Sequence, residues 1–158
     1  MTLPGALDDL RVLDIGTFFS GPYCARLLAD LGAEVIKIEE PPLGDPARRT
    51  EPFAHDIPDG ERSGYFLYVN FNKLGVTLNL RTATGHAIFL ELVKQADVLV
   101  SNRPAAEMEA LGLDSGRLKG ANPRLIGTSV TPFGSSGPRS RSPRPPTTPR
   151  SCAPRSTA

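Results

Sequence analysis

Tryptophan is absent from this sequence of 158 residues, and cysteine and histidine occur only twice each. Two cysteines, Cys24 and Cys152, do not make a disulfide framework, which points to a reducing compartment. His55 and His86 stand apart from ligand-like partners, so no metal site is expected. An excess of one charge is missing too: the net charge is +1, without the basic stripe of a nucleic-acid binder. No apolar run is long enough to span a bilayer, so no membrane partner is expected. The opening MTLPGALDDL lacks the basic and apolar regions of a secretory leader, and a cytoplasmic chain is expected. Gly16 and Gly21 do not complete a GxGxxG pattern. That argues against NAD, although Glu39 stands where dinucleotide folds place a ribose-binding acid. Finally, no Asp or Glu follows Asp114.

What is present is organised around Arg11 to Glu39. Val12, Leu13 and Ile15 form a short apolar run ending at Gly16, as in a strand buried on both faces. Asp14, inside that run, reads as a structural hydrogen-bonding group rather than a base. Ser20 is the expected N-cap of a helix with Pro22 in its first turn. Cys24, Leu27, Leu28 and Leu31 predict its buried stripe, and Gly32 its end. Val35, Ile36 and Ile38 predict a second strand, parallel to the first and joined to it by a right-handed crossover. The Gly16 to Gly21 loop then lies at the carboxyl end of a strand and over a helix N-terminus. Open α/β sheets bind ligands there, and backbone N–H groups there favour phosphate.

Pro41 to Gly64 reads as a long loop rich in Pro, Gly and charge. Tyr65 to Phe71 predicts a short helix or turn, and Val76, Leu78 and Leu80 a strand. A helix capped by Thr82 or Thr84 follows, carrying Ile88, Phe89, Leu92, Val93 and Ala96. Val98 to Val100 is the next strand. Two short helices, Ala105 to Leu111 and Ser115 to Ala121, lead to a last strand at Leu125 to Val130. Strands alternating with helices predict an α/β fold: a Rossmann-like, doubly wound, mainly parallel sheet over residues 1–133. Residues 134–158 hold six Pro, six Ser and five Arg but no Val, Ile, Leu, Met, Phe or Tyr. A disordered tail is expected there. Its PxxP, Pro143 to Pro146, and its Arg/Ser content arise readily from composition alone.

Several stretches, in order, resemble family III CoA-transferases, the CaiB/BaiF type that includes formyl-CoA and carnitine CoA-transferases. They are Val12–Leu13–Asp14, SGPYCARLLADLGAEVIKIE from Ser20, PPLGDPARR from Pro41 and NFNK from Asn70. LNLRTATGHAIFLELVKQADVLV from Leu78, LGL from Leu111 and ANPRLIGTSVTPFGSSGP from Ala121 complete the set. The resemblance covers roughly residues 5–138 and implies the large domain's N-terminal part. It also implies transfer of CoA from an acyl-CoA to a carboxylate acceptor, with coenzyme A as substrate and no prosthetic group or metal. In that family two longer chains interlock as a homodimer. An Asp carboxylate attacks the thioester, giving a mixed anhydride and then an aspartyl-CoA thioester.

Three segments look like the family's CoA contacts. Phe18, Phe19 and Ser20 offer an apolar wall beside helix N–H groups; the alternative is that the two rings pack under the helix. Asn72 and Lys73 offer an amide and a mobile point charge for phosphate; the alternative is a solvated loop lysine. Asn102 and Arg103 follow the third buried strand; the alternative is a surface Arg at a helix start. The family's nucleophilic Asp lies downstream of the segment matching Gly134 to Pro138, and no acid stands there. No catalytic residue is therefore assigned, and a truncated, inactive chain is expected. A coding-frame shift near Ser135 to Ser142 would produce such a tail. A CoA-binding module, a non-functional fragment and an acyl-CoA racemase relative are the alternatives.

Overall fold

The computed structural model describes residues 5–132 and residue 134. The expected disordered tail, Cys152 and the PxxP lie outside the described residues. Five strands, β1 (Arg11–Asp14), β2 (Glu34–Glu39), β3 (Leu74–Thr77), β4 (Val98–Ser101) and β5 (Ile126–Ser129), form one sheet. Its order is β3-β2-β1-β4-β5, and every pair is parallel. The α-helices among the described residues are α1 (Ser20–Asp30), α2 (Gly64–Asn70), α3 (Ala83–Lys94), α4 (Ala105–Ala110) and α5 (Ser115–Ala121). The order turns back on itself between β1 and β4, which is the switch point of a doubly wound sheet. The expected α/β fold is therefore the observed one.

Side chains alternate across the buried strands and so divide the core in two. Val12, Val35 and Val100 pack on one face with Ala25 and Ala29 of α1. Leu13, Ile38 and Leu99 pack on the other with Phe89 and Val93 of α3 and Leu118 of α5. α2 lies against α1. Three helices are capped by side chains: Ser63 accepts from Phe66 N, Thr82 from Gly85 N, and Asp114 from Gly116 N and Arg117 N. α1 ends at Gly32, whose φ of 107° is a backbone shape that side chains disfavour.

Four local expectations differ from the fold. Ser20 is the first helical residue, not the cap; Phe19 holds the cap position, with no side-chain cap bond. The buried face of α1 is Gly21, Pro22, Ala25 and Ala29, while Leu27 and Leu31 are exposed. Small residues let the helix lie close to the sheet, and this closeness overrode the leucine periodicity. β3 begins and ends earlier than the alternation of Val76, Leu78 and Leu80 suggested. Leu78 and Leu80 are buried just beyond it, in the core under α3. The long loop also contains 3-10 turns, Pro46–Arg49 and Ala54–Asp56.

Candidate functional site

The turn after β1 is built at the carboxyl ends of β1, β2 and β4. Asp14 and Lys37 are paired neighbours in the β1–β2 register, so both side chains enter the same face of the sheet. Both are buried. A charge placed there needs a partner, because desolvation of a lone ion costs several kcal/mol at least. Two more segments supply partners. Asp45, from the loop after β2, takes Lys37 Nζ at 2.8 Å. Lys73, just before β3, reaches Asp14 Oδ2 at 2.8 Å, and also Pro22 O at 2.7 Å and Asn70 Oδ1 at 2.9 Å. Two carboxylates and two ammonium groups thus form a closed, neutral cluster beneath the turn.

The backbone of the turn is bonded group by group. Ile15 N donates to Val100 O at 3.0 Å, and Ile15 O accepts from Arg103 Nε at 3.0 Å. Gly16 N donates to Asp14 Oδ1 at 2.9 Å, and Gly16 O accepts from Lys37 Nζ. Thr17 N and O are both held by the Asn102 amide at 2.8 Å. Phe18 N donates to Asp45 Oδ1 at 2.9 Å. Phe18 has a φ of 66°, in the left-handed region that a bulky side chain seldom adopts. Ser20 Oγ accepts from Asn102 Nδ2 at 3.0 Å.

Above the turn lies an aromatic strip. The Phe18 ring is 5.1 Å from Tyr65, and Phe19 stacks on Tyr23 at 5.3 Å. Tyr23 in turn stacks on Tyr68 at 6.1 Å, and Arg26 lies 4.5 Å over the Tyr68 ring. Phe19 is 41 % exposed at the head of α1. The head of α1 carries no side-chain cap; Pro22 has no N–H and Tyr23 N donates to Phe19 O at 2.7 Å, which leaves Ser20 and Gly21 to present N–H groups in its first turn.

Of the residues singled out from sequence, Phe18, Phe19, Ser20, Lys73, Asn102 and Arg103 converge on this turn. Asn72 does not: it is exposed, and its amide bonds Asp30 Oδ1 at the other end of α1. The Lys73 ammonium is fixed rather than mobile, its side chain 1 % exposed. Burial pulls its pKa below the ordinary lysine value, against the opposing pull of Asp14. Arg103 is buried rather than a surface group; besides Ile15 O it pairs with Glu107 at 2.6 Å and Glu40 at 2.8 Å. The Glu40 Oε1 contact is an ion pair without hydrogen-bond geometry.

Lys37 and Asp45 were missed in the sequence. Burial pushes the Asp45 carboxyl up, but Lys37 and the N–H groups of Ala47 and Phe18 together bring it below its usual value. Glu39 faces the same opposition from burial, and Arg48 wins it with two bonds of 2.7 Å, lowering the carboxyl. Glu39 is thus committed to Arg48, not open to a ribose. A cleft of about 340 Å³ lies beside it, between the end of β2 and the loop residues Pro42, Arg49 and Glu61. A second cavity, of about 30 Å³ under Gly16 and Thr17, is small enough for water only. His55 lies in a 3-10 turn, and His86 Nε2 lies 3.4 Å from Gly112 O. Among the described residues no group of three His, Cys, Asp or Glu is placed to hold a metal, and no helix is long and apolar enough to cross a membrane.

The family model of CoA-transferase family III matches residues 7–145. The chain is 46 % identical over 130 residues to a succinyl-CoA:mesaconate CoA-transferase of Haloarcula marismortui, covering 82 % of this chain and 33 % of that protein. It is 42 % identical over 134 residues to an acetyl-CoA:oxalate CoA-transferase of Acetobacter aceti, covering 85 % and 33 %. The crystal structure of a CAIB/BAIF family protein from Brucella suis superposes with a TM-score of 0.78 at 35 % identity, covering 87 % and 36 %. The chain thus spans about a third of the length of the curated relatives it matches.

Proposed function

The chain belongs to CoA-transferase family III, and from that premise we propose that its Gly16–Ser20 turn seats coenzyme A. The reaction served is transfer of CoA from an acyl-CoA to a carboxylate acceptor. One observation carries the reading: the head of α1, at the carboxyl end of β1, has an exposed aromatic at its cap position instead of a capping side chain. Uncapped N–H groups suit a phosphate or a thioester oxygen, and the Phe19–Tyr23 surface suits the apolar arm behind it. Asn102 and Arg103 tie this turn to β4, and Lys73 ties the first turn of α1 to β1. The cytoplasm is the proposed setting, in keeping with a free Cys24.

No nucleophile is assigned to these 158 residues. A carboxylate that attacks a thioester needs a free lone pair and access to the ligand. Asp14, Glu39 and Asp45, the buried carboxylates near the turn, are each bound to a cation. The attacking group is proposed to belong to the part of the relatives' length that this chain does not match. Calorimetry with CoA, beside an assay of CoA transfer from succinyl-CoA or acetyl-CoA to oxalate, tests both halves. Saturable binding without transfer is expected. No heat at millimolar CoA would sink the binding reading, and transfer at an enzymatic rate would sink the assignment of the nucleophile elsewhere.

A further inference from the structure

Phe18 keeps a left-handed backbone although nothing in its own side chain favours one. Such a conformation is strained and persists only where the surroundings over-determine it. Among those surroundings, one buried pair bonds Phe18 directly. Asp45 Oδ1 accepts from Phe18 N and from Ala47 N, while Asp45 Oδ2 receives Lys37 Nζ. Lys37 donates in the same contact zone to Gly16 O. The pair therefore grips the turn at Gly16 and Phe18 and ties it to the loop after β2. Neither side chain reaches the open surface, so neither is placed to touch a ligand.

We infer that Lys37 and Asp45 are positioning residues, which hold the Gly16–Phe18 backbone in its ligand-receiving shape before any ligand arrives. The inference rests on the reading of this turn as the coenzyme A seat. Holding the shape in advance removes an ordering cost that binding would otherwise meet. The acceptor atom on Asp45, not merely its bulk, is what does the holding. Asn at position 45 keeps an oxygen for Phe18 N, whereas Ala keeps none.

Amide hydrogen exchange on the unliganded 158-residue chain tests the grip, and calorimetry with CoA tests its consequence. In the wild type the Phe18 and Ala47 amides are expected to be protected. Asp45→Ala should lose that protection while the Val35 and Leu99 amides, in the core strands, stay slow; Asp45→Asn should regain most of it. CoA affinity should follow the same order, with Asp45→Ala weaker by about tenfold or more, the scale of one charge-assisted hydrogen bond. Should Asp45→Ala fail to fold, Lys37→Met serves in its place: Phe18 protection below wild type in that variant supports the grip, and protection equal to wild type overturns it. A Phe18 amide that exchanges equally fast in wild type and variants overturns the inference. So does full CoA affinity in a variant whose Phe18 amide is unprotected. A wild type that binds no CoA yet protects Phe18 overturns instead the functional reading on which the ligand half depends.

Discussion

The carboxyl end of β1 and the two edges of the sheet are built on opposite terms. At the turn after β1, seven successive backbone groups from Ile15 to Phe18 are bonded, six of them by side chains from four separate segments. At the edges, all four residues of β3 are exposed, and Ile126 of β5 is 62 % exposed. Leu27, Leu31, Leu67 and Phe71 add apolar surface outside the sheet. One region is over-determined by polar contacts inside the protein. The other offers strand edges and apolar side chains that nothing among the described residues covers. The polar contacts are concentrated at the turn proposed to receive coenzyme A.

Removing charge from the rigid region should have the largest effect. Asp14→Ala leaves Lys37 and Lys73 facing each other without their shared carboxylate. A loss of about 3–5 kcal/mol in urea unfolding is expected, as for other buried pairs broken on one side. A loss below 1 kcal/mol, in keeping with surface ion pairs, would erase the contrast.

Acid should act next, and on the same region. Asp45 and Glu39 have folded-state pKa values below their ordinary ones. Their stabilisation is therefore complete above the unfolded values, about 3.9 for Asp and 4.3 for Glu. It disappears as pH falls through the lower folded values. The melting temperature should drop steeply below pH 4, and less steeply in Asp45→Asn. A parallel drop in both proteins would place the acid sensitivity elsewhere. Lys73 has the same sign in a higher pH window: burial penalises its charged form and lowers its pKa, so that penalty eases as pH rises through the folded value toward the unfolded one.

Away from both regions, Thr82→Ala removes the cap of α3 and should cost about 1 kcal/mol in thermal or urea unfolding. The smallest effect belongs to the edges. Leu74→Thr and Ile126→Thr keep strand propensity and should change stability by less than about 0.5 kcal/mol. Light scattering of concentrated solutions should nevertheless fall, since exposed apolar edges favour association. A large stability loss there would mean that the edges are as tightly determined as the turn.

The doubly wound sheet was legible because its signals are local. Apolar runs at Val12–Ile15, Val35–Ile38 and Val98–Val100 flank helices with visible starts and stops, and Thr82 caps where expected. The face of α1 was not, because Leu27 and Leu31 carry the strongest periodicity while close packing selects Gly21, Pro22, Ala25 and Ala29. Phe18, Ser20, Asn102 and Arg103 were singled out and do meet at one turn. Lys37 and Asp45 escaped notice because their bond joins a strand to a Pro- and Gly-rich loop, with no periodic signal between them. A usable clue was present. Asp14 and Lys37 are opposite charges inside two adjacent apolar strands, and strands buried on both faces seldom hold an unpaired charge.

The account turns on what the turn after β1 receives, and titration of the wild-type chain with coenzyme A, followed residue by residue through its amide resonances, asks this most directly. Saturable shifts centred on Gly16 to Gly21, with Tyr23 and Tyr65 ring signals moving alongside, are the predicted result. Saturable shifts centred instead on the cleft lined by Arg48, Arg49 and Glu61, with the amides of Thr17 to Phe19 unmoved, would contradict it.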